Sequence, residues 1–229
     1  MNLNDFKFLL DDMLFSNDEA SRRSLLEYMT YERWRSLFTS ILFDEKAVEE
    51  ISKRSYVHAN GFLKILLVDK RPMYSIRLHI WPSLVIKETD IHDHPWDFDG
   101  FVLNGEYDWY SINEFFPSSI ESKFKHYTCK YAMDYTSSCF KLVGGCTLGK
   151  ENRLKYSKGD YFSFRKEGFH YIEKTNNFKL DSILVTGPAS GYTANVITKR
   201  YLQNNVDVRY EPLSNDDVRS SLNKLLCRI

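Results

Sequence analysis

The sequence predicts a mainly β fold, an antiparallel barrel or jelly roll, with a helical segment ahead of it and a helix behind it. Three observations carry that expectation. Residues 1–59 show apolar side chains at helical steps and contain neither Gly nor Pro. After Gly61, runs rich in aromatic and β-branched residues take over, each of strand length and bounded by turn formers. No alternation of strands with helices follows, which argues against a parallel sheet.

In chain order, Phe6, Leu9, Leu10, Met13 and Leu14 recur at three- and four-residue steps. Leu25, Leu26 and Met29, then Trp34, Leu37 and Ile41, do the same, so residues 5–52 read as three or four short helices. Ser16-Asn17 reads as a break and cap. Strand patterns follow at Phe62 to Val68, Tyr74 to Trp81 and Phe101 to Tyr110. Others lie at Cys139 to Leu148, Arg153 to Tyr156, Asp160 to Phe164, Tyr171 to Glu173 and Leu180 to Thr186. Asp69 to Pro72 and Pro82-Ser83 supply turns between the early ones. About eight to ten strands with short connections are expected. Ser214 followed by Asp217 is a capping-box signal, and Val218, Leu222, Leu225 and Leu226 share one face of the helix it starts, on the outside of the barrel. The expected division is 1–59 as a helical segment packed on the barrel, 60–210 as the barrel and 211–229 as the closing helix, one structural domain overall.

Composition narrows the function classes. The 229 residues carry 31 Lys plus Arg against 31 Asp plus Glu, with 43% hydrophobic residues, so the chain can bury a sizeable core. A formal charge of zero removes the electrostatic case for a nucleic-acid or membrane partner. The longest aliphatic run, Ile65 to Val68, is far below the roughly 20 residues of a bilayer span, and the acidic N-terminus lacks a signal-peptide pattern. A cytoplasmic location is therefore expected. Cys129, Cys139, Cys146 and Cys227 form no C-x-x-C pair and are expected as free thiols.

The chemistry-bearing residues cluster in two stretches. His92 and His94 sit in Ile91-His92-Asp93-His94-Pro95-Trp96, and the period of two along a strand turns both imidazoles to one face, where they either share a divalent metal or serve as hydrogen-bonded histidines. Upstream, Tyr74 to Trp81 divides by parity: Tyr74, Ile76, Leu78 and Ile80 make a core face, while Ser75, Arg77, His79 and Trp81 suit a barrel lumen. There an arginine fork can hold a carboxylate or phosphate. His79 is open to three readings: an extra ligand, a hydrogen-bond donor behind the ligands, or a satisfied core histidine. Asp97 and Asp99 either offer a fourth ligand or cap the turn after Pro95-Trp96.

About 65 residues beyond His94 a second block, Gly159 to Phe164 followed by Gly168-Phe169-His170, completes a spacing that resembles the two motifs of the cupin superfamily. His92 and His94 match the first motif's H-x-H and Gly105 its closing Gly; Gly159 opens the second motif and His170 is its histidine. The resemblance covers residues 60–200 and implies a double-stranded β-helix. Two departures matter. Phe98 stands where a cupin usually has its glutamate ligand, and Arg165 and Glu167 replace the second motif's Pro and Gly. The implied ligand set is His92, His94 and His170, similar to the three-histidine site of cysteine dioxygenase and related thiol and diketone dioxygenases. The pieces His92 to Phe98, Leu78-His79 and Thr186-Gly187-Pro188 also resemble a group of cupin-like proteins with an H-D-H-P-W-x-F motif and no established activity.

What the resemblance implies is a mononuclear non-haem iron oxygenase. Fe(II) is the first choice of cofactor, with Zn, Mn or Ni as alternatives, and the substrate is a small anionic molecule meeting dioxygen at the metal. Arg77 takes the anion anchor by position in the family; His79, Trp81, Trp96 and Phe98 line the cavity, and Tyr192 reaches its mouth. No catalytic base is assigned. Phe98 also occupies the position of the cysteine that some cysteine dioxygenases crosslink, which argues against cysteine as substrate. The alternatives are a metal-dependent isomerase or lyase, with Glu106, Asp97 or His79 as base, and a non-catalytic module that binds a small molecule or a partner. Sheet-edge pairing allows a homodimer.

Overall fold

The computed structural model describes residues 1–81, 88–173 and 180–229. Four helices open the chain, each started by a short polar side chain that accepts a hydrogen bond from the first turn. These are α1 (Leu3–Met13) capped by Asn2, α2 (Glu19–Tyr28) by Asp18, α3 (Tyr31–Leu42) by Thr30 and α4 (Glu45–Arg54) by Asp44. The break after α1 lies where the sequence places it, but the cap is Asp18. Asn17 adopts φ 45° and its side-chain amide donates to the Met73 carbonyl at 2.8 Å.

Fifteen strands follow among the described residues, more than the sequence suggests because several are very short. They are β1 (Tyr56–Val57), β2 (Leu63–Lys70), β3 (Tyr74–Trp81), β4 (Ile91–His92), β5 (Phe98–Asn104), β6 (Glu106–Ile112), β7 (Phe115–Ser118) and β8 (Phe124–Tyr131). Then come β9 (Ser137–Leu148), β10 (Glu151–Ser157), β11 (Tyr161–Phe164), β12 (Phe169–Glu173), β13 (Leu180–Thr186), β14 (Thr193–Thr198) and β15 (Asp207–Arg209). The single strand expected over Phe101 to Tyr110 is two, β5 and β6, lying in different sheets. The expected turn at Pro82-Ser83 lies outside the described residues.

The strand order identifies the fold. One sheet contains β3-β13-β5-β11 and the other β10-β6-β12-β4, with antiparallel pairing throughout. Along the chain, β3, β4, β5 and β6 alternate between the sheets, and so do β10, β11, β12 and β13. That is the jelly roll, two facing four-stranded sheets joined at their corners. Gly105 and Gly159 sit at corners where the chain leaves one sheet for the other, between β5 and β6 and between β10 and β11. Their φ values of 85° and 95° are open to glycine and strained for other residues. Both glycines of the sequence motif therefore have a backbone reason to be glycine. The fold is a cupin-type double-stranded β-helix.

Two additions frame it. β1 and β2 extend the first sheet beyond β3. The second sheet continues from β4 through β14, β8, β9 and β15, with β7 paired to β9. The helices and α5 (Asn215–Leu226), capped by Ser214 with Asp217 closing the box, cover the outer face of the first sheet. Tyr74, Ile76, Leu78 and Ile80 of β3 pack there with Phe6, Leu10, Leu25, Trp34 and Leu222 in one apolar cluster. Each such buried side chain contributes about 1.5–3 kcal/mol. A buried ion pair pins the helices to the barrel: Arg22 Nε on α2 donates to Asp99 Oδ2 on β5 at 2.5 Å. The four cysteines are free thiols. Among the described residues no helix is long and apolar enough to cross a membrane.

Candidate metal centre and its cavity

The parity of β3 sets the inner wall. With its even-numbered residues committed to the helix-covered core, Arg77, His79 and Trp81 face the lumen, where they line a cavity of about 290 Å³. β13 lies beside β3 in register, pairing Ser182 with His79 and Leu184 with Arg77, and β2 pairs Lys64 with His79 from the other side. The opposite wall belongs to the second sheet. There His170 on β12 lies directly across from His92 on β4, and His94 follows two residues later on the same side.

His92, His94 and His170 converge: one nitrogen from each lies within 4.8 Å of the others, and among the described residues this is the one such group of three potential ligands. Ring centroids are 4.8 Å apart for His92 and His94, 4.5 Å for His92 and His170, and 5.2 Å for His94 and His170. Nδ1 of His92 lies 2.7 Å from the Asp90 carbonyl; as the donor in that bond it leaves Nε2 free as the acceptor, the arrangement that orients a ligating imidazole. His170 is clamped between the parallel ring of Trp109 at 4.2 Å and the edge-on ring of Phe164 at 4.3 Å. Burial holds His94 and His170 well below the usual histidine range and lowers His92, so all three are neutral, the state that binds metal.

Do these residues fit a metal? Three neutral imidazoles suit Fe, Zn, Ni or Cu by donor type. Bonds of about 2.0–2.2 Å to one ion place its ligand nitrogens closer together than the 4.8 Å limit seen here, so metal binding would draw the three imidazoles in. Nδ1 of His94 and Nδ1 of His170 make no hydrogen bond, unlike Nδ1 of His92, so packing alone places those two rings. The donor set and the neutral state fit.

Among the described residues no carboxylate joins the three. Asp97 Oδ1 accepts from the Lys166 backbone amide at 2.9 Å and Oδ2 from Arg165 at 3.4 Å. Asp99 neither ligates nor caps a turn: it lies in β5, held by Arg22 and Ser163. Asp93, out of phase with the histidines, accepts from the backbone and side-chain amides of Asn195. Phe98 fills the position beside His94, the two rings edge to face with centroids 5.2 Å apart.

The remaining sequence candidates divide. Arg77, His79, Trp81, Trp96 and Phe98 all line the cavity. Tyr192 does not; it packs against Tyr135, ring centroids 5.5 Å apart, and its backbone carbonyl accepts from the Tyr131 amide. Lys64, His58 and Tyr131 line the cavity although no sequence motif includes them. Lys64 had a legible signal, a charged residue alone within the apolar run from Phe62 to Val68.

The fold and the histidine cluster define a double-stranded β-helix with a candidate mononuclear metal centre. No family model matches the chain, and no curated protein matches it. Solved structures do align. Oxalate decarboxylase of Lactobacillus farciminis in its formate complex is 11% identical over 62% of this chain and 32% of its own, TM-score 0.38. The Cnp3 cupin domain of Schizosaccharomyces pombe is 8% identical over 56% of this chain and 62% of its own, TM-score 0.34. A conserved double-stranded β-helix protein of Klebsiella pneumoniae is 12% identical over 65% of this chain and 93% of its own, TM-score 0.36. This chain thus spans about a third of the oxalate decarboxylase. Likenesses of this size say nothing about the reaction.

Proposed function

We propose that this protein is a mononuclear non-haem iron oxygenase acting on a small anionic molecule, with His92, His94 and His170 as the metal ligands. The observation that supports the reading is the convergence of three neutral imidazoles with no carboxylate among them. A three-nitrogen set leaves coordination positions open for two further molecules. Fe(II), when bound, supplies the means for dioxygen and substrate to react. The protein's own residues do the rest. Arg77 anchors the substrate's acidic group, since its Nε and Nη2 are buried and unpartnered. Trp81, Trp96 and Phe98 exclude water from the site.

A metal-dependent lyase or isomerase is the competing reading, and one observation favours it: His79 lines the same cavity as a neutral imidazole with an unpartnered Nε2, the form that a general base takes. Elemental analysis of protein purified without chelator, with oxygen uptake measured in parallel on candidate anions, separates the two. Near-stoichiometric iron lost in His94→Ala, with oxygen uptake, is the expected result. Tight zinc without uptake shifts the assignment to the lyase or isomerase, and absence of any metal overturns the metal centre.

A further inference from the structure

We propose that Lys64 and Arg77 together form a site for a dianionic head group, so that the molecule this cavity takes is a small phosphate monoester. The inference deepens the reading above by naming the substrate class, and it rests on the same cavity but on different residues from the metal.

The register of β2 and β3 brings the two cations together. Lys64 pairs with His79, and Arg77 is two residues from His79 on the same face, so Lys64 and Arg77 are diagonal neighbours on one wall. Such positions lie about 7–8 Å apart at the backbone, a span that two long side chains close around one small group. Both are buried, Arg77 with 3% and Lys64 with 6% of its surface exposed.

Among the described residues neither cation has a protein anion. Nε and Nη2 of Arg77, the two nitrogens along one edge of the guanidinium, lack any partner, and that edge is the one that grips an oxyanion with two parallel hydrogen bonds. Trp96 lies over the same guanidinium at 4.8 Å and fixes its plane. Lys64 Nζ meets only the Tyr56 hydroxyl, at 2.9 Å. The nearby carboxylates are committed elsewhere: Asp69 to Arg71, Asp90 to Thr198 and Arg200, Asp93 to Asn195. Burial and the charge of Arg77 hold the Lys64 ammonium well below its ordinary range, a strain that an anion between the two relieves.

The charge and the geometry favour phosphate over carboxylate. A carboxylate brings one charge against two cations, and each of its two oxygens already accepts one bond from the Arg77 edge. A phosphate monoester carries about two charges at neutral pH and three free oxygens, enough to satisfy that edge and Lys64 at once.

The test is calorimetric titration of the 229-residue chain with inorganic phosphate, and separately with acetate and succinate, before and after chelation, with metal content measured on each sample. Phosphate is expected to bind with or without metal, about tenfold or more weaker in Lys64→Met and weaker still in Arg77→Gln, whereas acetate should respond to Arg77 alone. Phosphate binding that vanishes with the metal, or that ignores Lys64→Met, overturns the proposal. Succinate binding as tightly as phosphate overturns the phosphate assignment. Retained phosphate binding in a protein that never holds metal leaves this site standing while removing the metal centre. Should Lys64→Met fail to fold, wild-type melting decides: no rise in Tm with phosphate, against chloride at equal ionic strength, overturns the proposal.

Discussion

The indole of Trp109 lies flat on the imidazole of His170, ring centroids 4.2 Å apart and planes within 3°. The register explains it: on β6, Ser111 is opposite His170 and Ile172 opposite Trp109, so the two rings are diagonal neighbours on the lumenal face. His170 has no hydrogen bond at Nδ1 to fix its rotation, and stacking takes over the orienting role that a carboxylate or carbonyl has for most metal-bound histidines. Trp109→Leu is therefore expected to weaken metal binding about tenfold, measured by titration against a competing chelator. An unchanged affinity would show that the stack orients nothing.

Removing the metal should cost stability in proportion to its affinity. A ligand that binds only the folded state stabilises it by RT ln(1 + [L]/Kd), about 2.7 kcal/mol at a hundredfold excess over Kd. Chelation should lower the Tm of the wild type and leave that of His92→Ala where it was. Equal Tm values with and without chelator in the wild type would count against a resident ion.

Arg22 and Asp99 are 4% and 1% exposed, and their bond joins α2 to β5. Losing one partner strands the other charge in the interior, so Arg22→Met and Asp99→Leu should each destabilise by about 3–5 kcal/mol in urea unfolding. The double variant should cost clearly less than the two added together, since it leaves no unpaired charge. Simple additivity would mean the pair is not the tie between the helices and the barrel.

Acid should unfold the metal-free protein early. Burial holds His58, His79, His94 and His170 well below the free value of 6.5. Well above that value both folded and unfolded chains carry neutral imidazoles and nothing is gained or lost. Below it the unfolded chain takes up protons that the folded chain refuses, so the stability present at higher pH drains away as pH falls, by up to about 1.4 kcal/mol per pH unit for each histidine. Urea midpoints at pH 7.5, 6.5 and 5.5 should fall slightly across the first interval, where the unfolded histidines begin to take up protons, and steeply across the second. A flat profile throughout would mean these rings are hydrated.

Much of this is legible in the sequence. The parity of Tyr74 to Trp81 separates a core face from a lumenal one because strand geometry leaves no third choice, and Gly105 and Gly159 mark corners that only positive φ can turn. The histidine spacing pointed to the cluster that the fold assembles. Phe124–Tyr131 alternates in burial, but β8 is hard to read because Lys125 interrupts the buried face that it shares with Tyr127 and Cys129. Tyr192 was misplaced for a different reason: beyond Pro188 nothing local fixes which way the chain turns, and contact with Tyr135 decides it. Lys64 escaped because its meaning lies in its neighbours Arg77 and His79, which are remote in sequence.

Arg77 sets stability and binding against each other. Burial and Arg71 lower its guanidinium to about 10, and its Nε and Nη2 are left without partners, so the ligand-free protein bears the cost of a charge it does not use. Arg77→Met keeps the length and apolar stem of the side chain while removing that charge. The ligand-free variant should therefore melt higher than the wild type, by a few degrees for about 1 kcal/mol, while its affinity for an anion falls by on the order of 2–5 kcal/mol. Thermal scans and phosphate titration on the same preparations, at matched metal content, read both signs. A variant that melts lower and binds equally well would make Arg77 a packing residue, and the cavity would then need its anion anchor elsewhere.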